Sequence, residues 1–560
     1  MRNSLPRRLI TLLAVAGVGA AACSQAERSG DEQLNAALNT ITADELAAHI
    51  KVLSSDEFEG RLPSTPGEEK TINYLKEQFA ALGYEPANAG SWYQEVPLVS
   101  ITADPIMSLR VSREGAGKEF LCCDQMVAWT KRVVDAVDLA NSELVFVGYG
   151  SVAPEYEWND YEGLDTRGKT VVMLVNDPGY ATQDSALFNG RAMTYYGRWT
   201  YKYEEAARQG VDAAFVIHET APAAYGWDVV KRGWTGPQFD MVPEDNNMSR
   251  AQVEGWLSLE TARQIFAMAG QDFDQLKQQA AQRGFKPVPL GVKGSLSLRN
   301  TIERSTSNNV VAKLSGSAQP DEYIIYMGHW DHFGRDTTLE GDQIFNGALD
   351  NASGTAGLLE IAQAFAGLET RPSRSTLFLM TTAEEQGLLG SAYYAANPIY
   401  PLEKTVAAIN IDVINHYGPM RDIVLVGYGN SELDDYLIAA AAEKDRVVVP
   451  DLEVEKGYFY RSDHFPLSKA GVPALNPDVG GDHLEHGAQW TQEKKDAWTA
   501  EQYHQTSDEY SPDWDLSGAV EDLRLLFTVG YRLSNETSFP NWQEGTEFKA
   551  RRDAMMSGTH

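Results

Sequence analysis

The sequence predicts an α/β protein: a mixed, mostly parallel sheet flanked by helices, interrupted by a section of different character. Three observations point there. After Asn300, short apolar runs at Asn309–Leu314, Glu322–Gly328, Ser375–Thr382 and Thr405–Val413 alternate with a helical pattern at Ser353–Leu368, the order of a parallel layer fold. Further helical patterns follow at Ser431–Asp445, Ser462–Ala470 and Val520–Asn535. Between about residues 135 and 292, by contrast, helices are few and buried-strand runs dominate.

Taken in chain order, Thr42 is an N-cap candidate for a first helix, and Gly67–Leu82 repeats the helical spacing. Residues 102–130 are less regular, with Met107–Ser112 alternating as a strand does. Glu143–Gly150 and Lys169–Asn176 read as buried strands, Arg198–Gly210 as an amphipathic helix and Val211–His218 as the strand it feeds. The Gly-, Pro-, Trp- and Asp-rich stretch Ala221–Met248 reads as surface loops.

A chain of 560 residues exceeds one ordinary domain, and 43% hydrophobic with 22% charged residues is a normal globular composition. Acidic residues outnumber basic ones by 79 to 47, a net charge of −32, which argues against nucleic acid as a partner. Arg2, Arg7 and Arg8 precede an apolar stretch from Leu9 to Gly19, and Ala20–Ala22 then meet Cys23. This is a signal peptide over residues 1–23, too short to span a bilayer, which needs about 20 apolar residues. It ends like a bacterial lipoprotein box, so we expect an exported protein. The expected location is periplasmic or outer-membrane-anchored through a lipidated Cys23, with free secretion as the alternative. Residues 24–40 are then a polar tether and 541–560 a flexible tail. The remaining cysteines, Cys122 and Cys123, are adjacent, so no disulfide framework is expected.

Chemistry-bearing residues gather where predicted strands end: His329-Trp-Asp331, Leu349-Asp350-Asn351, Glu384-Glu385 and Asn410-Ile-Asp412, with Tyr503-His504-Gln-Thr-Ser-Asp508 downstream. Ligands of open α/β sheets collect at the carboxyl ends of strands. Two imidazoles and three carboxylates suit zinc, and one carboxylate could bridge two ions. Adjacent glutamates can supply both a ligand and a proton acceptor, and a carboxylate near a ligating imidazole can hold its free N–H. Alone, each piece reads as surface or as an ordinary loop. Asp412 is the exception, because a charge inside an apolar strand is costly unless paired or metal-bound.

The run Gly328-His329-Trp-Asp331, Gly347-Ala-Leu-Asp350-Asn351-Ala-Ser-Gly354, Ala383-Glu384-Glu385-Gln-Gly387, Asn410-Ile-Asp412, Arg461-Ser-Asp463-His464 and Tyr503-His504 resembles the M28 family of co-catalytic zinc peptidases. The resemblance implies two zinc ions, with Asp350 bridging them, His329 and Asp412 on one, and Glu385 and His504 on the other. It makes Glu384 the general base, Asp331 the carboxylate behind His329, and Tyr503 a hydrogen-bond donor to the oxyanion. It also implies a cis peptide between Asp350 and Asn351. Arg461, Asp463 and His464 fall near the substrate cleft without a metal role. Position 349 is Leu where many members carry Asp. Val147-Gly-Tyr-Gly and Asp160–Asp165 resemble the opening of a protease-associated (PA) domain. The resulting division is 41–134 and 293–540 for the peptidase and 135–292 for the insertion.

The implied activity is that of a metallo-exopeptidase acting on peptides, with aminopeptidase the first expectation. A glutamate carboxypeptidase-like carboxypeptidase or dipeptidase would instead need a positive clamp, for which Arg461 is the candidate. A receptor-like binding protein is the remote alternative, and it requires lost ligands where none is missing. Oligomeric state and side-chain preference are not written in the sequence.

Overall fold

The computed structural model describes residues 32–558; the leader and Cys23 lie outside them. Ordered structure begins before the expected boundary at 41. Residues 32–38 are helical, Ala37 and Leu38 are buried, and Arg524 Nε donates to the Leu38 carbonyl at 2.9 Å. The later part of the expected tether is thus packed on the core. Helix α1 (Ala43–Leu53) is capped by the Thr42 hydroxyl, which accepts Glu45 N–H, and it buries Leu46, Ile50 and Leu53. Helix α2 (Pro66–Ala81) starts on proline and buries Ile72, Leu75 and Phe79.

Strand β1 (Tyr93–Ala103) opens the main sheet, the one expected to carry the peptidase residues. The chain then leaves for the inserted unit through β2 (Ser108–Arg113), β3 (Ala116–Leu121), β4 (Met126–Trp129), β5 (Ala136–Phe146) and β6 (Lys169–Leu174). Helix α3 (Trp199–Arg208) feeds β7 (Ala213–His218), and β8 (Pro237–Met241) precedes β9 (Val253–Ser258). Strands β5, β6, β7 and β9 pair in parallel in that order, and β4 closes the edge antiparallel to β9.

Two boundaries move. The inserted sheet already includes β2, β3 and β4, so the unit starts near Ser108 rather than at 135. The stretch expected to be loops contains β8, which pairs with β1 of the main sheet. The cysteines are also corrected: Cys122 and Cys123 form a disulfide across a cis peptide, with Cα atoms 3.1 Å apart. Adjacent cysteines rarely bond to each other, which is why no disulfide framework was expected; here the neighbouring pair does so.

Strand β10 (Val288–Leu314) is 27 residues long and belongs to both sheets. Its first part pairs with β5 and β2, Asn300–Val310 pair with β1, and Val310–Leu314 pair with β12 (Arg374–Thr381). Strand β11 (Gln319–His329) lies parallel between β12 and β13 (Thr405–Asn410). Beyond β13 comes β15 (Ala474–Asp478), parallel to it, and then β14 (Asp422–Val426), antiparallel to β15. The sheet is therefore parallel in the middle and antiparallel towards its edges. Helices α4 (Gly354–Ala366), α5 (Leu389–Ala396), α6 (His464–Lys469), α7 (Gly487–Glu501) and α8 (Ser517–Asn535) complete the layer, and α4 and α8 sandwich one face.

The expected flexible tail is packed instead. Helix α9 (Lys549–Ser557) docks through Trp542, Phe548 and Arg552, all at most 4% exposed. Trp542 Nε1 donates to the Gly471 carbonyl at 3.1 Å, and Arg552 donates to the Thr405 carbonyl at 3.1 Å. Three widely spaced anchors in a polar stretch are enough to hold it.

Candidate metal centre

Strand β11 ends on His329, fully buried at the carboxyl edge of the parallel sheet. Its Nδ1 lies 3.1 Å from the Asp331 carbonyl oxygen and 3.8 Å from the Asp331 carboxylate, so that nitrogen carries the proton and Nε2 faces forward. In front of Nε2 stand Asp412 Oδ1 at 3.3 Å and Asp350 Oδ1 at 3.4 Å. The other oxygen of Asp350 faces His504 Nε2 at 3.2 Å, and the same nitrogen lies 3.4 Å from Glu385 Oε2. Donor atoms of His329, Asp350 and Asp412 lie within 4.8 Å of one another, as do those of His329, Glu384 and Glu385.

The backbone is bent to bring these groups together. The Asp350–Asn351 peptide is cis. The Asn351 side chain holds both neighbouring segments: its Oδ1 accepts from Gly354 N and Val413 N, and its Nδ2 donates to the Ile411 carbonyl. A Cβ at Gly354 would sit 2.2 Å from Asn351 Oδ1, so only glycine fits there. Ala383, Val413 and His504 all have positive φ, at 53°, 62° and 57°. Each such non-glycine residue costs roughly 1–3 kcal/mol, and all three are at or beside candidate ligands, where strain is usually tied to a site. Ser462 donates to Asp412 Oδ2 at 2.7 Å and thereby fixes the carboxylate's direction.

The donor chemistry and the electrostatics both fit a divalent cation such as zinc. Burial alone would lower the pKa of His329, yet Glu384, Asp350 and Asp412 hold it well above its ordinary value. His504 is likewise raised to about 9 against burial, chiefly by Glu385 and Asp350. Asp350, despite burial, is held well below the carboxylate range by His329 and His504. Burial, then Asp412, Glu385 and Asp463, raises Glu384 well above its ordinary value. A cluster that draws protons onto two imidazoles is one that stabilises positive charge at its centre.

Tyr503 stands beside His504 at the cleft, whereas Asp331, Asp463 and His464 lie beneath it. Tyr503 is 43% exposed and stacks on His504 with ring centroids 3.7 Å apart. Asp331 is fully buried and accepts the Glu384 backbone N–H at 3.1 Å. Asp463 and His464, expected at the substrate cleft, are 0% exposed and lie beneath it. Asp463 accepts from Thr381 Oγ1, while His464 packs on Phe459 and is pulled down by burial to about 3. A polar triplet before a helix looked accessible, but α6 turns those two side chains inward. Arg461 is half-buried and donates to the Lys456 carbonyl at 2.7 Å.

His332 and Arg61 have no place in the sequence reading, and Asp508, which closes the downstream candidate run, has no role assigned there. His332, fully buried, places Nδ1 2.7 Å from Glu385 Oε1; its only signal was a second histidine three residues after the first. Asp508 is fully buried and accepts the backbone N–H groups of Leu349 and Asp350. Arg61, 1% exposed, donates to the carbonyls of Leu53, Trp330, Asn346 and Gly347 and so pins three segments behind the centre. Gly347 has φ +52°, and a Cβ there would meet the His332 ring at 2.5 Å.

Residues 309–528 match the model of "Peptidase family M28". Mouse "Aminopeptidase NAALADL1" is 38% identical over 138 residues, which are 23% of this chain and 17% of the mouse protein. "Leupeptin-inactivating enzyme 1" of Streptomyces exfoliatus is 31% identical over 215 residues, 37% of this chain and 45% of that one. The chain thus spans well under two thirds of the curated relatives it matches. Among solved structures, the aminopeptidase from Aneurinibacillus sp. strain AM-1 superposes with a TM-score of 0.51 at 19% identity, covering 91% of this chain and 97% of that one, a likeness of fold. The parallel-centred sheet, the donor set at its carboxyl edge and the family match together make residues 309–528 a peptidase domain of family M28.

Proposed function

We propose that the protein is a zinc-dependent exopeptidase that releases residues from the N-termini of peptides. The carrying observation is the two-sided presentation of Asp350, one oxygen towards His329 and the other towards His504. This suits two zinc ions, one held by His329 and Asp412 and the other by Glu385 and His504, with Asp350 shared. Zinc bound there supplies Lewis-acid polarisation of the scissile carbonyl and acidifies a water molecule.

The chain's own residues do the rest. Glu384 Oε takes the proton of the attacking water and delivers it to the leaving amine nitrogen. Its backbone is fixed by Asp331, which also stands behind His329 Nδ1, so one carboxylate orients base and ligand together. The Tyr503 hydroxyl donates to the oxyanion that develops on the carbonyl. The mouse relative is an aminopeptidase, which supports the N-terminal preference. The unit from Ser108 to Arg299 is read as a protease-associated domain that narrows the cleft, and the Arg2–Cys23 leader supports export with lipid attachment.

The purified protein should carry two zinc ions per chain and cleave aminoacyl-nitroanilides. Glu384→Gln should keep the metal and lose turnover by about 10²–10⁴-fold. Chelator-resistant activity, or full activity in Glu384→Gln, would overturn the proposal.

One observation favours a second reading, recognition of a free carboxylate as in a carboxypeptidase or dipeptidase. Arg198 of the inserted unit and Arg461 of the peptidase are near enough for their charges to repel, and each has a buried Nε–H without a hydrogen-bond partner. Burial, then the neighbouring Arg461, pulls Arg198 down to about 10. Two crowded guanidiniums favour an anion between them. N-acetylated dipeptides decide between the readings: cleavage that Arg198→Ala and Arg461→Ala each impair through KM supports the second, and strict need for a free amine supports the first.

A further inference from the structure

Helix α7 is an unusual element, because of its fifteen residues only Thr491 is buried. One stripe of it, Trp490, Lys494, Ala497, Trp498 and Glu501, lines a cleft of about 710 Å³. Trp498 also packs against the main core, and Trp490 rests on the rings of Tyr417, His483 and His486, so the aromatic wall is held in place from behind. The opposite wall is His416, whose ring lies 3.9 Å from that of Tyr417 and 4.9 Å from that of Trp514. The volume lies within the roughly 300–1,000 Å³ of ligand-holding pockets.

All three walls are continuations of segments that build the metal centre. His416 stands four residues after Asp412. The Ser511–Asp515 segment follows Asp508. Helix α7 runs directly into Tyr503 and His504, and the Trp498 ring lies 5.4 Å from that of Tyr503. Four carboxylates, Glu485, Glu501, Asp513 and Asp515, line the cleft against a single cation, Lys494. That balance disfavours an acidic guest.

We propose that this cleft is a subsite for the peptide being trimmed, and that it takes an aromatic side chain downstream of the cleaved bond. The proposal rests on the peptidase reading. It assigns the aromatic walls to binding an apolar ring by stacking and desolvation, the acidic lining to rejecting Asp and Glu, and α7 to coupling an occupied subsite to the placement of Tyr503 and His504.

The test uses the full-length zinc enzyme and pentapeptides carrying Phe, Ala or Glu at one downstream position. In the wild type, kcat/KM should favour Phe over Ala by roughly tenfold, expressed in KM, with Glu poorest. Trp514→Ala and Trp490→Ala should each bring the Phe-to-Ala ratio towards one. Lys494→Glu, on an exposed position that tolerates folding, should penalise the Glu peptide further. Titration of Glu384→Gln with the Phe pentapeptide reads binding without turnover. If no peptide is hydrolysed yet the Phe peptide binds and Trp514→Ala abolishes binding, the peptidase reading fails and the subsite stands. If peptides are hydrolysed and no variant changes the ratios, the subsite is overturned. Self-association in sedimentation that Trp514→Ala removes would assign the cleft to a second copy and overturn it as well.

Discussion

Asp508 and Asp350 are joined through the main chain: the Asp508 carboxylate accepts the backbone N–H of Asp350 at 3.1 Å and that of Leu349 at 2.9 Å. Ala348 N–H also donates to the Asp508 carbonyl at 3.0 Å. The loop carrying His504 is thereby tied to the loop carrying the shared carboxylate, four residues beyond the histidine itself.

Loss of that tie should loosen both halves of the centre. Asp508→Ala should weaken zinc binding about 10–100-fold, the usual cost of removing a group that orients a ligand. Competition against a chelating dye measures it. Asp508→Asn, which keeps one acceptor oxygen, should fall between the two, and equal affinity in all three proteins would refute the role.

His332 should act chiefly on Glu385, its hydrogen-bond partner, although its donor atom also lies within 4.8 Å of one on Asp350. With Nδ1 2.7 Å from Glu385 Oε1 and Nε2 buried without a partner, it holds the carboxylate by a single bond. His332→Ala should therefore weaken one of the two ions selectively, seen as two separated steps in a zinc titration where the wild type gives one. Simultaneous loss of both would point instead to collapse of the Gly347 loop against which the ring packs.

Away from the centre, Glu360 predicts a pH dependence of stability. It is fully buried on α4, accepts Thr42 N–H at 3.0 Å, and is raised by burial to about 7. Because the folded pKa lies above the unfolded one, this contribution is fully present below the unfolded value and is lost as pH rises through about 7. Glu360→Gln keeps the acceptor and removes the titration. The variant should melt at a nearly constant temperature from pH 5 to 8 and exceed the wild type at pH 8 by about 1–3 kcal/mol.

The C-terminal segment should prove structural. Trp542 is 2% exposed and packs against Phe459 and Phe548. Trp542→Ala should cost about 3–5 kcal/mol, measured by urea unfolding, and truncation after Pro540 should cost at least as much. A truncated protein of unchanged stability would restore the reading of a loose tail.

These cases show what could be read from the chain and what could not. His329, Glu384, Glu385 and Asp412 were legible because each ends or follows an apolar strand, where a charged group needs a reason to be, and Asp350 through the glycine-flanked motif that surrounds it. Arg61 and His332 were not, and Asp508 stood in a candidate run without a role, since what these residues do depends on which distant segments meet them, and nothing in their local spacing encodes that. Helix α7 escaped for a related reason: a helix that buries one residue leaves almost no periodic pattern. The tail was misjudged because three anchors among polar neighbours average out to a solvent-like composition.

Strand β10 bears on how a substrate can enter. It runs without interruption from the inserted sheet into the peptidase sheet, and β8 adds a second splice through β1. A jaw needs a pivot, and here the would-be pivot is a ladder of backbone hydrogen bonds, so the two halves behave as a welded frame rather than hinged shells. The spacing of Arg198 and Arg461, one from each half, is then set at folding, and under the proposed peptidase reading a substrate would meet a fixed entrance instead of a closing one.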